Sequence, residues 1–140
     1  MSRELARFAL LAALGEEEQR DLAQELEWLS FEAGASIFRE GDVADGLLLL
    51  LEGQVLLRSS RAPGVGVCEP GASFGALSLV LDGVRRASLQ ASTPCRLLRL
   101  RPEGFRRLLE MAPRAACRLL EGVVRESADL VEGVLEDRQR

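Results

Sequence analysis

The stretch FGALSLVLDGVRRASLQA, residues 74–91, sets the interpretation of the whole chain. It begins with the small residues Gly75 and Ala76 and, after an apolar segment and an Asp-Gly turn, delivers Arg85 and Arg86. Small residues let backbone N–H groups approach a ligand closely, and a short helix that starts near Ala76 would direct its free N–H groups towards an anion. An arginine from the following strand would bind the same anion through two parallel hydrogen bonds. The stretch therefore predicts a site for one small, phosphate-bearing ligand.

This pattern resembles the phosphate-binding cassette of the cyclic nucleotide-binding domain family, which includes the catabolite activator protein and the regulatory subunits of protein kinase A. That cassette reads approximately F-G-E-L-A-L, a short spacer, and then P-R-A-A-T-V-x-A. The matching residues are Phe74, Gly75, Leu77, Leu79, Arg85, Ala87, Ser88, Leu89 and Ala91. Two positions depart from the pattern. Ala76 replaces the family glutamate that binds the ribose 2′-hydroxyl, and Arg86 replaces a residue that is usually small.

Short apolar runs broken by glycine and proline follow Trp28, and evenly spaced strands of this kind are typical of an antiparallel barrel or jelly roll. The leucines at positions 47–51 predict a strand that is buried on both sides. The glycine turns also match the family, whose fold is a double-stranded β-helix (jelly-roll) barrel with N-terminal helices and a long C-terminal helix. The predicted strands are residues 27–31, 36–39, 47–52, 54–58, 64–68, 86–91 and 96–100.

Helices are predicted on both sides of the strands. A first helix would be capped by Ser2 and end near Gly15, and a second would span residues 16–26. The length of 140 residues indicates one domain. Its expected parts are N-terminal helices at 1–26, a β-roll at 27–101 and C-terminal helices at 102–140, with no DNA-binding domain.

The C-terminal segment is expected to hold two helices, because Pro102 suits a helix start and Pro113 breaks or restarts the helix. Its second helix, residues 114–135, carries an apolar seam that either packs on the barrel or pairs with a second subunit. We expect a homodimer, because the family often dimerises through this helix. Ser127 would be either a lid over a bound base or a device that sets the helix register. The seam consists of Cys117, Leu120, Val124, Ser127, Val131 and Val134.

Composition excludes several classes of function. The net charge of −4 provides no basic field for nucleic acid, and the longest apolar run, residues 8–14, is too short to span a bilayer. We therefore expect neither a nucleic-acid partner nor a membrane partner. We expect the protein to be cytoplasmic. The chain has no histidine, and Cys68, Cys95 and Cys117 lack metal-site spacing. We expect buried cysteines, no metal, no cofactor and no enzymatic activity.

The resemblance implies a sensor module that binds cyclic AMP or cyclic GMP and signals through its C-terminal helix. Arg85 would hold the phosphate oxygens with the backbone N–H groups of residues 75–77, and Ser88 would hydrogen-bond the base or the phosphate. Leu77, Leu79 and Leu89 would line the sugar and base. The expected ligand-binding residues are Phe74, Gly75, Ala76, Leu77, Arg85, Arg86, Ala87 and Ser88.

Ala76 leaves two alternatives open. A lost hydrogen bond between a carboxylate and a ligand hydroxyl costs on the order of 1.5–3 kcal/mol. The domain would then be a degenerate module for dimerisation or protein interaction, or its pocket would be retuned to another phosphate ligand with help from Arg86. In a strand, Arg85 and Arg86 would face opposite sides. Signalling would require a separate effector protein as partner.

Overall fold

Two antiparallel sheets of four strands each form the middle of the chain in the computed structural model, which describes the backbone of residues 2–139 and the side chains of residues 4–126. Their strand orders are β1-β8-β3-β6 and β2-β7-β4-β5. The mainly β class is confirmed, although the described strands form two open sheets and not one closed barrel. The strands are β1 (Leu26–Phe31), β2 (Ser36–Phe38), β3 (Leu47–Glu52), β4 (Val55–Ser59), β5 (Ala62–Cys68), β6 (Ser73–Phe74), β7 (Ser88–Ala91) and β8 (Cys95–Leu100).

The leucine run of β3 connects two hydrophobic cores, because successive side chains of a strand point to opposite faces. Leu47, Leu49 and Leu51 belong to a core that the sheet shares with the helices. Leu48 and Leu50 belong to a second core, together with residues of the other sheet such as Leu89. All five leucines are at most 4% exposed, which confirms that the strand is buried on both sides.

The helices lie against the first of these cores, and the N-terminal ones differ from expectation. No single helix runs from Ser2 to Gly15, because Leu10 and Leu11 are both fully buried and adopt a 3₁₀ turn. The second predicted helix ends at Ala23, before β1 begins. The helical elements are α1 (Ser2–Leu5), a 3₁₀ turn (Ala9–Leu11), α2 (Glu16–Ala23), a second 3₁₀ turn (Ala76–Leu79), α3 (Pro102–Met111) and α4 (Pro113–Gln139).

The strand β7 begins two residues later than the sequence predicts, and this shift leaves Arg86 and Ala87 outside the sheet. The preceding residues pair with the turn after β2: Arg85 donates its N–H to the Asp42 carbonyl at 2.7 Å, and the Arg85 carbonyl accepts the Gly41 N–H at 2.8 Å. The sequence also missed β6, because two residues are too few to show an alternating pattern.

The last helix, α4, packs on the N-terminal segment. Gly122 is buried, and a β-carbon at this position would overlap the carbonyl oxygen of Leu10. Arg118 reinforces the contact by donating to the Ala13 carbonyl at 3.0 Å. Against expectation, Cys117 is exposed, whereas Cys95 is buried and Cys68 is partly buried.

The proposed pairing seam is only partly described, because the side chains of Ser127, Val131 and Val134 lie outside the described residues. The lid or register role of Ser127 and the dimer therefore stay predictions. Among the described residues, no helix is long and apolar enough to cross a membrane.

The contact between Gly122 and Leu10 predicts the sign of a stability change. Alanine normally favours a helix over glycine by about 1 kcal/mol. Here the added methyl group has no room, so we expect Gly122→Ala to lower the free energy of unfolding by about 1–3 kcal/mol. Gly83→Ala is the control, because a β-carbon at Gly83 meets nothing within 4 Å. Urea denaturation would contradict the close contact if Gly122→Ala were as stable as the wild type.

Candidate ligand-binding site

The loop after β6 forms the base of the site. Gly75 has a left-handed φ of 78° and starts the 3₁₀ turn Ala76–Leu79, which confirms the short helix predicted near Ala76. The hydroxyl of Ser78 donates to the Gly75 carbonyl at 2.6 Å and accepts the Gly46 N–H at 3.0 Å. These two hydrogen bonds fix the loop to the residue that precedes β3.

Arg85 is the buried cation of the site, with 5% of its surface exposed. Its Nη2 donates to Asp45 Oδ1 at 2.9 Å and to the Gly46 carbonyl at 3.1 Å. Its guanidinium carbon lies 4.4 Å from the centre of the Phe38 ring, an arrangement that favours a cation. The Nε atom is buried and has no hydrogen-bond partner among the described residues. Arg85 therefore keeps an unused donor inside the protein.

The missing side chain at Gly75 makes room for this guanidinium. A β-carbon at Gly75 would overlap Nη1 of Arg85 and would lie 2.9 Å from the Gly46 carbonyl oxygen. The glycine that the cassette pattern predicts is thus required twice, by its backbone conformation and by the arginine beside it. Arg85 and the loop are consequently held against each other.

The carboxylate of Asp45 connects the site to the outer part of the first sheet. Its Oδ2 lies 3.1 Å from Nη1 of Arg99, and Nη2 of Arg99 lies 2.9 Å from Glu27 Oε2. Glu27 also accepts a hydrogen bond from Arg101 at 2.6 Å. The hydrogen bond from Arg99 holds the pKa of Glu27 below its ordinary value. Asp45 thus pairs with two arginines, Arg85 and Arg99.

A cavity of about 970 Å³ opens beside Arg85 and includes most of the residues that the sequence predicts. The predicted residues that line it are Phe74, Gly75, Ala76, Leu77, Arg85, Arg86 and Ala87. Ser88 is not among the lining residues, because its hydroxyl accepts the Glu40 N–H at 2.9 Å. Leu79 and Leu89 were expected to line the sugar and base, but they are buried in the helix-facing and inter-sheet cores. Arg86 is exposed while Arg85 is buried, and both line the cavity.

The sequence did not single out several other residues of the cavity wall. Phe38 comes from β2, Ser60 from the turn after β4, and Val123 and Glu126 from α4. Glu40 also lines the cavity, and hydrogen bonds from the Ser60 hydroxyl and N–H lower its pKa. The sequence Glu40-Gly41-Asp42 indicated only a glycine turn and gave no sign that Glu40 faces a cavity.

Two of the three cysteines, Cys68 and Cys95, are partly or fully shielded from solvent. Burial raises the pKa of Cys95 and of Cys68, which keeps both thiols protonated and weakly nucleophilic. Among the described residues, no cluster of three or more potential metal ligands occurs. The described wall of the cavity combines one buried cation, Arg85, with the carboxylate of Glu40 and apolar side chains.

Residues 28–112 match the family model of the cyclic nucleotide-binding domain. The chain therefore belongs to this family, as the cassette residues predict. The cAMP-dependent protein kinase regulatory subunit of Emericella nidulans is 36% identical over 104 residues, which cover 70% of this chain and 24% of the relative. The chain thus spans about a quarter of the length of that relative.

Two solved structures show the same fold. The N-terminal domain of a transcriptional regulator from Streptomyces coelicolor A3(2) is 32% identical, with a TM-score of 0.79 over 91% of this chain and 94% of that chain. The catabolite activator protein of Thermus thermophilus is 29% identical, with a TM-score of 0.73 over 91% of this chain and 63% of that chain. The jelly-roll class of the fold is thereby confirmed.

The fit of Gly75 against Arg85 predicts that a single methyl group disrupts the site. We expect Gly75→Ala to lower the free energy of unfolding by about 2–5 kcal/mol. Alanine is strained in the left-handed conformation that Gly75 adopts, and its methyl group would overlap Arg85. Gly34→Ala is a matched control, since Gly34 also has a positive φ of 88° but meets nothing within 4 Å. We expect that control to lose only about 1–2 kcal/mol. Equal losses in urea denaturation would contradict the packing of Gly75 on Arg85.

Proposed function

We propose that this chain is a regulatory module that binds a cyclic mononucleotide, cyclic AMP or cyclic GMP, and that it is not an enzyme. The observation that carries the proposal is Arg85, a buried guanidinium that lines a large cavity beside a glycine-led 3₁₀ turn. Asp45 already offsets part of the cost of burying this charge, but the buried Nε has no hydrogen-bond partner among the described residues, so an anionic ligand at this cavity wall would be favourable. The cyclic phosphate of the nucleotide would be that anion.

The geometry leaves capacity at Arg85 for a phosphate. Nη2 already donates to Asp45 and to the Gly46 carbonyl, whereas Nε is buried without a partner among the described residues. In the proposed complex, Arg85 keeps Asp45 as its positioning partner and donates from the rest of its guanidinium to the phosphate. The backbone N–H groups of residues 75–77 supply the remaining donors.

Signalling is proposed to pass through α4. Val123 lines the cavity and also belongs to the helix-facing core, where it is 5% exposed. A ligand that contacts Val123 would favour one position of the helix over another, and its effect would be limited to its difference in affinity for the two positions. A separate effector protein would respond to that change, and a homodimer through α4 stays part of the proposal.

A second candidate function is a degenerate domain that acts in protein interaction. The observation that favours it is an apolar surface of five side chains, each between 52% and 77% exposed, three of which (Leu77, Leu81 and Val84) also line the cavity. Exposed apolar patches commonly mark sites of association. Val43 and Val84 are joined by a β-bridge within this surface. Its members are Val43, Leu77, Val80, Leu81 and Val84.

Titration calorimetry of the purified chain with cyclic AMP and cyclic GMP tests the proposal. We expect micromolar binding that Arg85→Ala abolishes. Arg85→Lys should weaken it at least ten-fold, because lysine keeps the charge but cannot reproduce the planar fork of donors. Arg58→Lys is the control, since Arg58 is exposed on β4 and is not among the cavity-lining residues. No heat up to millimolar nucleotide would reject cyclic nucleotide binding and leave the interaction module.

The alanine at position 76 leads to the prediction that a substitution there increases the affinity for the nucleotide. The family resemblance assigns a ribose-binding glutamate to this position, and Ala76 lines the cavity. We expect Ala76→Glu to tighten binding of the ribose nucleotide by about 10- to 100-fold, the equivalent of one charged hydrogen bond. Ala33→Glu adds the same charge at an exposed turn outside the cavity lining and should change little. Unchanged or weaker binding by Ala76→Glu would favour a pocket retuned to another phosphate ligand.

A further inference from the structure

The strongest unassigned feature of the cavity is the carboxylate of Glu40. Its Oε1 accepts the backbone N–H of Ser60 at 2.9 Å, and its Oε2 accepts the Ser60 hydroxyl at 2.5 Å. Ser60 itself lines the cavity, in the turn between β4 and β5. Both oxygens are therefore oriented by another part of the chain before any ligand arrives. Such preorganisation reduces the entropy that a polar group loses on binding.

The backbone of Glu40 is tied to the segment that carries the buried cation. Its N–H donates to the Ser88 hydroxyl at 2.9 Å, and the next residue, Gly41, donates its N–H to the Arg85 carbonyl at 2.8 Å. The carboxylate and the guanidinium are thus positioned by one hydrogen-bonded pair of segments and presented to one cavity. A ligand held by Arg85 would lie in a cavity that Glu40 also lines.

The carboxylate has unused acceptor capacity. An ionised carboxylate offers about four lone-pair sites; the hydrogen bonds from Ser60 occupy two of them, and the Ser59 side chain also contributes to lowering the pKa of the carboxylate. Those same hydrogen bonds lower the pKa of Glu40, so it is ionised at neutral pH and acts only as an acceptor. Such a group selects ligands that place an O–H or N–H donor in front of it. Position 76, at the start of the 3₁₀ turn, cannot provide such an acceptor, because its residue is alanine.

We propose that Glu40 determines specificity by accepting a hydrogen bond from a donor of the bound nucleotide outside its phosphate, either a sugar hydroxyl or an amino group of the base. Ser60 is the positioning residue, because it orients the carboxylate without being required to touch the ligand. This inference rests on the proposed function and adds a second recognition point to Arg85. Nucleotide analogues that lack either the sugar hydroxyl or the amino group of the base distinguish the two possible donors.

The test uses calorimetry with cyclic AMP, 2′-deoxy cyclic AMP and purine riboside 3′,5′-cyclic monophosphate, which lacks the amino group. We expect the wild type to bind one of the two analogues about ten-fold more weakly than cyclic AMP. We expect Glu40→Gln to bind cyclic AMP about ten-fold more weakly and to lose that preference. The affected analogue identifies the donor. Ser60→Ala should reduce the same preference partially, whereas a purely structural role would leave it unchanged.

Glu69→Gln is the matched control, because Glu69 also accepts a side-chain hydrogen bond, from Gln54 at 2.8 Å, but is not among the cavity-lining residues. Thermal melting of each variant checks that it is folded, and Glu40→Asp, which keeps the charge, provides a second variant. Wild-type binding that Glu40→Gln leaves unchanged in strength and preference would overturn the role of Glu40 alone. Absence of wild-type binding to all three nucleotides would overturn the proposed function and this inference with it.

Discussion

The burial of one positive charge is the constraint on which the site depends. Arg85 is 5% exposed, and an isolated buried guanidinium would be strongly unfavourable. The protein compensates it with the Asp45 carboxylate, the Gly46 carbonyl and the face of Phe38. These partners come from two pieces of chain, β2, which carries Phe38, and the two residues before β3. The position of the charge thereby fixes the geometry of the cavity wall.

The same constraint explains the sequence around it. Gly75 must lack a side chain because the arginine occupies that space, and Ser78 holds the resulting loop to Gly46. Gly46 therefore serves both elements, since its carbonyl receives Arg85 and its N–H donates to the Ser78 hydroxyl. The next residue begins β3, whose leucines belong to both cores. The candidate site is thus built directly onto β3, the most buried strand that the structure describes.

Features with a local signal were predictable from the sequence. The leucines of β3, the helix break at Pro113 and the short helix after Gly75 all follow from residue types that are adjacent in the chain. The cassette pattern likewise identified seven residues that line the cavity. In each case the physical cause acts within a few residues. These causes are burial on two faces, a missing backbone donor and a left-handed glycine.

Features that depend on tertiary contacts were not predictable. Asp45 lies 40 positions from Arg85, and no property of either residue alone pairs them. Glu40 and Ser60, 20 positions apart, meet only because β2 and β4 flank β7. The prediction of a single N-terminal helix was wrong for the same reason. The apolar spacing of residues 5–12 favours one helix, but Gly122 of α4 packs on the Leu10 carbonyl and the segment folds as a 3₁₀ turn instead.

The position of α4 connects these tertiary contacts to the proposed activity. Gly122 and Val123 are neighbours, yet one contacts the N-terminal segment and the other lines the cavity. A change at the cavity therefore acts on a helix whose neighbouring contact, between Gly122 and Leu10, leaves no spare volume, and packed contacts of this kind resist gradual deformation. If helix position alters ligand affinity, linkage requires the ligand to alter helix position by the same free energy. Val124, which is 65% exposed on the following position, would then be presented to a partner differently in the two states.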